Sequence, residues 1–103
     1  MFGQVMVMDV KPDRVGDLPR IFELLAEAEQ PDSGWLRTVV LRDRGDAHRL
    51  FTVVVFENEE KARTRENDPR RTEKLSEAQA LLREVLAAPP QFHDCDVLLD
   101  SAS

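Results

Sequence analysis

The sequence has no tyrosine, one cysteine, one tryptophan and four glycines among 103 residues. Each scarcity excludes something. A single thiol, Cys95, closes no intramolecular disulfide and builds no cysteine metal cluster, which points to a reducing, cytoplasmic setting. Four glycines leave no place for a phosphate-cradling loop or a dinucleotide fingerprint. The longest strongly apolar run, Leu50 to Phe56, falls far short of the ~20 residues that span a bilayer. Met1-Phe2-Gly3-Gln4-Val5 lacks the basic and apolar regions of a secretory signal. Positive charge is also scarce: 14 basic residues face 20 acidic ones, a formal net charge of -6. The summed field repels phosphate backbones and anionic membrane surfaces, so neither nucleic acid nor membrane is an expected partner.

What is present is the composition of a folding chain, 42% hydrophobic and 33% charged, with the length of one domain, read as residues 1–100 and a short tail at 101–103. Val5 to Val10 is apolar apart from Asp9 and reads as a strand. Leu18, Ile21, Phe22, Leu25 and Ala28 keep helical spacing behind a cap at Asp17, with Pro19 in the first turn. Gln30-Pro31-Asp32-Ser33-Gly34 breaks that helix. Trp35–Leu41 and Arg49–Phe56 are strand-like runs around an Asp- and Gly-bearing loop, which predicts an antiparallel hairpin. Asn58 caps a charged helical segment in which Glu57 and Lys61, Glu59 and Arg63, and Glu66 and Arg70 stand four apart. Pro69 restarts a helix whose stripe is Leu75, Ala78, Leu82, Val85 and Leu86. Gln91 to Leu99 reads as the last strand.

The order is βαββαβ, an α+β ferredoxin-like sandwich: a four-stranded antiparallel sheet with its helices on one face. Val5 to Met8, Val39 to Leu41 and Leu50 to Phe56 are apolar on both alternation sets, so burial on both faces is expected. No third layer exists within the chain. The expected cover is a second copy, a homodimer joined through the sheet face.

Val55-Phe56-Glu57-Asn58 leading into Glu59-Glu60-Lys61-Ala62, then Asn67-Asp68-Pro69 and a leucine-striped helix, resembles the antibiotic biosynthesis monooxygenase-like family. The ending Pro90-Gln91-Phe92-His93-Asp94 is similar to that of small members from high-GC bacteria. The resemblance covers about Phe2 to Leu98. It implies a dimeric α/β barrel with a pocket between sheet and helices. In some members it implies oxidation of quinol- or anthrone-like aromatics by molecular oxygen without metal or flavin, and in others haem breakdown. Haem-degrading members use an Asn in the first strand and a Trp and a His in the second helical region. Here Gln4-Val5-Met6-Val7-Met8 has no Asn, and Lys61 to Leu86 has neither Trp nor His, so haem degradation is disfavoured.

The expected function is therefore a cofactor-independent monooxygenase acting on a small planar aromatic substrate, with no metal. His93 is the candidate base, because a near-neutral pKa suits proton removal. Trp35 and Arg37 are candidates to place the substrate, with Phe92 and Asn58 as further contacts. The alternative is a non-catalytic dimeric module that binds a small hydrophobic ligand in the same pocket. His93 and Cys95 share a strand face two residues apart, which fits a nucleophilic pair or the start of a zinc site and, more simply, a semi-buried thiol beside a hydrogen-bonded histidine. Met6, Met8, Phe22, Phe51 and Phe56 read as core or pocket wall. Asp94 and Asp96 read as guards of a sheet edge.

Overall fold

A computed structural model describes residues 1–101. Strand β1 (Phe2–Asp9) leads through a 3-10 turn (Pro12–Asp17) into helix α1 (Leu18–Ala28). Strands β2 (Trp35–Arg42) and β3 (Arg49–Phe56) follow, then helices α2 (Glu59–Glu66) and α3 (Pro69–Val85), then strand β4 (Gln91–Asp96). The sheet order is β2-β3-β1-β4, every neighbouring pair antiparallel. This is the expected ferredoxin-like sandwich.

Period-two alternation divides the sheet. Met8 and Leu50 pack with Leu18, Ile21 and Val85 of the helices, while Phe2 and Phe56 pack with Ala62 of α2. Register extends this helix-facing side to Met6 and Thr52, and to Gln4 and Val54. The other side carries Gly3, Val5 and Val7 opposite Val55, Val53 and Phe51, and no helix covers it.

Local chemistry explains the element ends. Asn58 Oδ1 accepts the Lys61 amide at 2.8 Å, and Asp68 accepts the Arg70 amide at 2.9 Å ahead of the helix that Pro69 opens. Asp17 occupies the cap position of α1 but makes no cap hydrogen bond. The 3-10 turn runs straight into the helix, and the Asp17 carboxylate is held by Arg14 Nε at 2.6 Å. The Glu57–Lys61 and Glu59–Arg63 pairs form. Arg70 pairs with Asp32 and Asp68 rather than with Glu66, because Asn67-Asp68 interrupts the helix between them and removes the four-residue geometry.

Four strand ends differ from expectation: β1 stops at Asp9 rather than Val10, β2 runs to Arg42 rather than Leu41, and two others differ by three residues. β1 starts at Phe2 rather than Val5, since Phe2 and Gly3 pair with Phe56 and Val55 on one side and with Asp96 and Cys95 on the other. β4 ends at Asp96 rather than Leu99, because its partner β1 offers nothing beyond Phe2 except the Met1 carbonyl, which accepts from the Val97 amide at 3.3 Å. The chain then turns over the open face. Val97 Cγ2 lies 3.6 Å from where a Cβ on Gly3 would sit, and Asp100 Oδ2 accepts from Arg37 Nη2 at 2.8 Å on the far edge. Of the tail expected at 101–103, residues 102 and 103 lie outside the described residues.

Phe56 is fully buried and stacks tilted against Phe2, ring centroids 6.3 Å apart. Phe56→Ala is expected to cost about 3–5 kcal/mol of stability, measured by denaturant unfolding.

Candidate functional site

The helix layer stops short of β2. Trp35, Thr38 and Val40 pair with Phe56, Val54 and Thr52 of β3, which places them on the helix-facing side. Trp35 and Val40 are nevertheless 41% and 37% exposed. A bulge between Trp35 and Arg37 absorbs Leu36, which lets Trp35 and Thr38 share a side although three residues apart. The indole Nε1–H donates to Thr38 Oγ1 at 2.8 Å. The result is a strip of indole, hydroxyl and valine beside the helices, open at the sheet edge.

Behind the strip stands Thr52, 7% exposed, whose hydroxyl has no hydrogen-bond partner. An unpaired buried hydroxyl carries a penalty of about 1–3 kcal/mol. Its row across the sheet reads Val40, Thr52, Met6, Phe92, and Phe92 at the opposite edge is 67% exposed.

A polar cluster fixes the Trp35 end. Glu29, just past α1, accepts from Arg65 Nε at 2.9 Å and from Arg65 Nη2 at 2.7 Å, both side chains being 14% exposed. Ser33 Oγ donates to Glu29 at 2.7 Å and accepts the Trp35 amide at 3.2 Å. The Arg65 guanidinium lies 5.1 Å over the Phe56 ring, a cation–π contact. Burial disfavours the charge on Glu29, but the hydrogen bonds from Arg65 and Ser33 outweigh it and hold the carboxyl below its ordinary 4.5. Arg71 is pushed down by its own burial and then by the charge of Arg65. Gly34 joins this cluster to the strand with φ of 79°. A Cβ there would meet Lys61 Cδ at 2.6 Å, so the loop tolerates only glycine on both counts.

The residues singled out in the sequence separate into three places. Trp35 is in the strip, and Asn58 is at the same end, since the Glu57 amide donates to the Gly34 carbonyl at 2.9 Å. Asn58 lines a cleft of about 240 Å³ with Ser33, Lys61, Arg65 and Arg70, its side-chain oxygen already engaged as the helix cap. Phe92 faces the helix side from the other edge. His93 pairs with Val5 and Cys95 with Gly3, so both face the open side. Cys95 Sγ–H donates to the His93 carbonyl at 3.7 Å. Arg37 is on the open side too, held by Asp100. β2 and β4 are three strand spacings apart, roughly 14 Å, so Trp35 and His93 stand on opposite edges and opposite faces. Asp94 faces the helices and accepts from Arg63 at 2.6 Å and Gln4 at 3.2 Å; the Arg63 hydrogen bond, then that of Gln4, holds its carboxyl low. Among the described residues no group of three or more His, Cys, Asp or Glu is placed to hold a metal ion, and no helix is long and apolar enough to cross a membrane.

Glu29 gives the cluster a pH signature. A carboxyl held lower in the folded chain than in the unfolded one stabilises fully above the unfolded value and loses that contribution as pH falls through the folded one. Stability is expected to decline below about pH 4.5. Glu29→Gln flattens part of that decline, Asp68 and Asp94 supplying the rest with the same sign; thermal melts across pH 3 to 7 measure it.

Solved structures share the fold. An antibiotic biosynthesis monooxygenase-type protein from Chloroflexus aurantiacus is 20% identical over 98% of this chain and 96% of its own, with a TM-score of 0.69. Another from Caulobacter crescentus is 15% identical over 95% and 90%, with a TM-score of 0.77. A mutant of MhuD, solved with two manganese protoporphyrin IX molecules bound per active site, is 19% identical over all of both chains, with a TM-score of 0.79. No curated protein matches the sequence. Residues 1–73 match the family described as antibiotic biosynthesis monooxygenase, a stretch that runs from β1 into α3 and includes Trp35, Thr52, Arg65 and the Glu29 cluster. The chain therefore belongs to the antibiotic biosynthesis monooxygenase family.

Proposed function

We propose that the chain binds a small planar aromatic ligand on the strip formed by Trp35, Thr38 and Val40, and that it does so as a homodimer whose open sheet faces pack together. The observation that carries the ligand reading is an exposed indole beside exposed apolar surface on the side of the sheet where helices would bury it. Aromatic faces favour flat ligands through offset stacking. The dimer reading rests on Val39 and Leu41, 44% and 49% exposed on the open face, and on Leu98 and Leu99 of the tail, 96% and 83% exposed. A reducing, cytoplasmic setting accords with the lone Cys95.

A second reading, a cofactor-independent monooxygenase of phenol-, quinol- or anthrone-like substrates, is supported by the family. In it, for an anthrone-like substrate, a base takes a proton from the activated methylene, the carbanion reduces molecular oxygen, and the methylene becomes a carbonyl with one oxygen atom leaving as water. His93 is the proposed base and Arg37 the holder of substrate anion. Both stand on the open face, so this reaction would run between the two sheets rather than on the strip. Porphyrin is outside both readings: His48 lies in the hairpin loop and His93 on the open face, so neither offers an imidazole to the helix side.

Three measurements separate these readings. Titration with 1,4-naphthoquinone is expected to quench Trp35, the only tryptophan, saturably, and Val40→Asp to weaken binding at least about tenfold by placing a charge on the strip. Oxygen uptake with anthrones is expected to fall about 10²–10⁴-fold in His93→Ala if that imidazole is the base; unchanged uptake removes it. Light scattering behind size exclusion is expected to give twice the 11.8 kDa chain mass, and a monomer at micromolar concentration overturns the dimer.

A further inference from the structure

We propose that the tail from Val97 to Asp100 is a fixed ridge that interlocks two copies of this chain, Leu98 and Leu99 of each copy seating in an apolar trough on the open sheet face of the other. The inference rests on the open faces packing together and adds which residues engage which.

The ridge is pinned at both ends. At one, the Val97 amide donates to the Met1 carbonyl at 3.3 Å and the Val97 side chain packs over Gly3. At the other, Asp100, its side chain 16% exposed, accepts from Arg37 at 2.8 Å. Between these points the tail crosses the row Cys95, Gly3, Val55, Arg37, and Val55 is buried although no helix covers its side of the sheet. The tail covers that row alone. In the next two rows Val5 and Val53, then Val7 and Phe51, are half-buried, and Val39 and Leu41 at the β2 ends of those rows are exposed.

The face therefore has relief. A ridge carrying two leucines almost wholly in water stands beside an apolar trough, successive rows lying ~6.5–7 Å apart along the strands. Single exposed leucines on a free tail need no explanation; a pinned pair next to uncovered valines makes one continuous apolar surface. A ridge and a trough on the same face are complementary to themselves across a two-fold axis, the ridge of each copy entering the trough of the other, which is the isologous contact of a twofold dimer. Charge favours the same occupant. A net charge of -6 repels a second copy over most of the surface, but the charged side chains that strands and tail place on this face are two internal ion pairs, Arg37 with Asp100 and Asp9 with Arg49. Apart from His93, the other side chains there are neutral, so like-charge repulsion is least where the ridge stands.

Sedimentation equilibrium of the full chain over a concentration series reads the dimer constant. Leu98→Ser combined with Leu99→Ser is expected to weaken the dimer at least about 100-fold, two leucines being lost from each copy's contact. Both side chains stand outside the chain's own core, so the single chain keeps its fold. Arg37→Ala is expected to weaken the dimer about tenfold by releasing one end of the ridge, and Arg37→Asp combined with Asp100→Arg to restore it. Cross-linking locates the contact. With Cys95→Ser in every chain, a Leu98→Cys chain mixed with a Val53→Cys chain and treated with a short bismaleimide is expected to give mixed dimers, whereas a Glu77→Cys chain, altered on the exposed surface of α3, is expected to give none. An unchanged dimer constant in the double serine variant, or cross-linking no greater than in the Glu77→Cys control, overturns the ridge and leaves the sheet-face dimer standing. A wild-type chain that stays monomeric at micromolar concentration overturns both.

Discussion

A sheet has two faces and this chain has one layer of helix, and most of the structure follows from that mismatch. The helices bury the Met8, Leu50 and Phe56 side. The apolar rows of the opposite side, Val5 with Val53 and Val7 with Phe51, receive only a crossing tail. Hydrophobic burial scales with area removed from water, so the uncovered rows are surplus apolar surface that the chain's own helices do not bury. β2, at the edge and beyond the helix layer, is uncovered on both sides along its whole length. The same shortage of helix that exposes the sheet face exposes the strip.

The Glu29–Arg65 pair is the counterpart of this deficit. It joins the end of α1 to α2, and passes through Ser33 to the first amide of β2. Two ions at low exposure lose hydration, and their attraction repays it only when the geometry is good and the remaining hydrogen bonds are made. Here both carboxylate oxygens and the guanidinium fork are engaged. The pair acts chiefly as a geometric fixture, holding the indole end of the strip against the aromatic pair beneath it.

Much of the fold was legible because it is encoded locally. The strand-like run at Arg49–Phe56 matched β3 residue for residue, and the cap at Asn58 and the restart at Pro69 are short-range signals. The ends of β1 and β4 were not legible, since each is set by how far its neighbour extends. Of the site, Trp35 was visible as the only tryptophan, while nothing local marked the Thr52 hydroxyl as unpartnered. Glu29 and Arg65 left no local sign, being 36 residues apart. Arg37 was readable as a candidate to place the substrate, but its partner Asp100, 63 residues on, was not.

The order of the strands also bears on how the chain is made. β1 emerges first, yet it occupies an inner position, and both its neighbours, β3 and β4, come later. An apolar strand with two unpaired edges must therefore wait for residues 49–56 on one side and 91–96 on the other. At synthesis rates of roughly 5–20 residues per second, that waiting lasts seconds. Throughout it the N-terminal segment presents two unpaired edges, a template on which another nascent chain can pair.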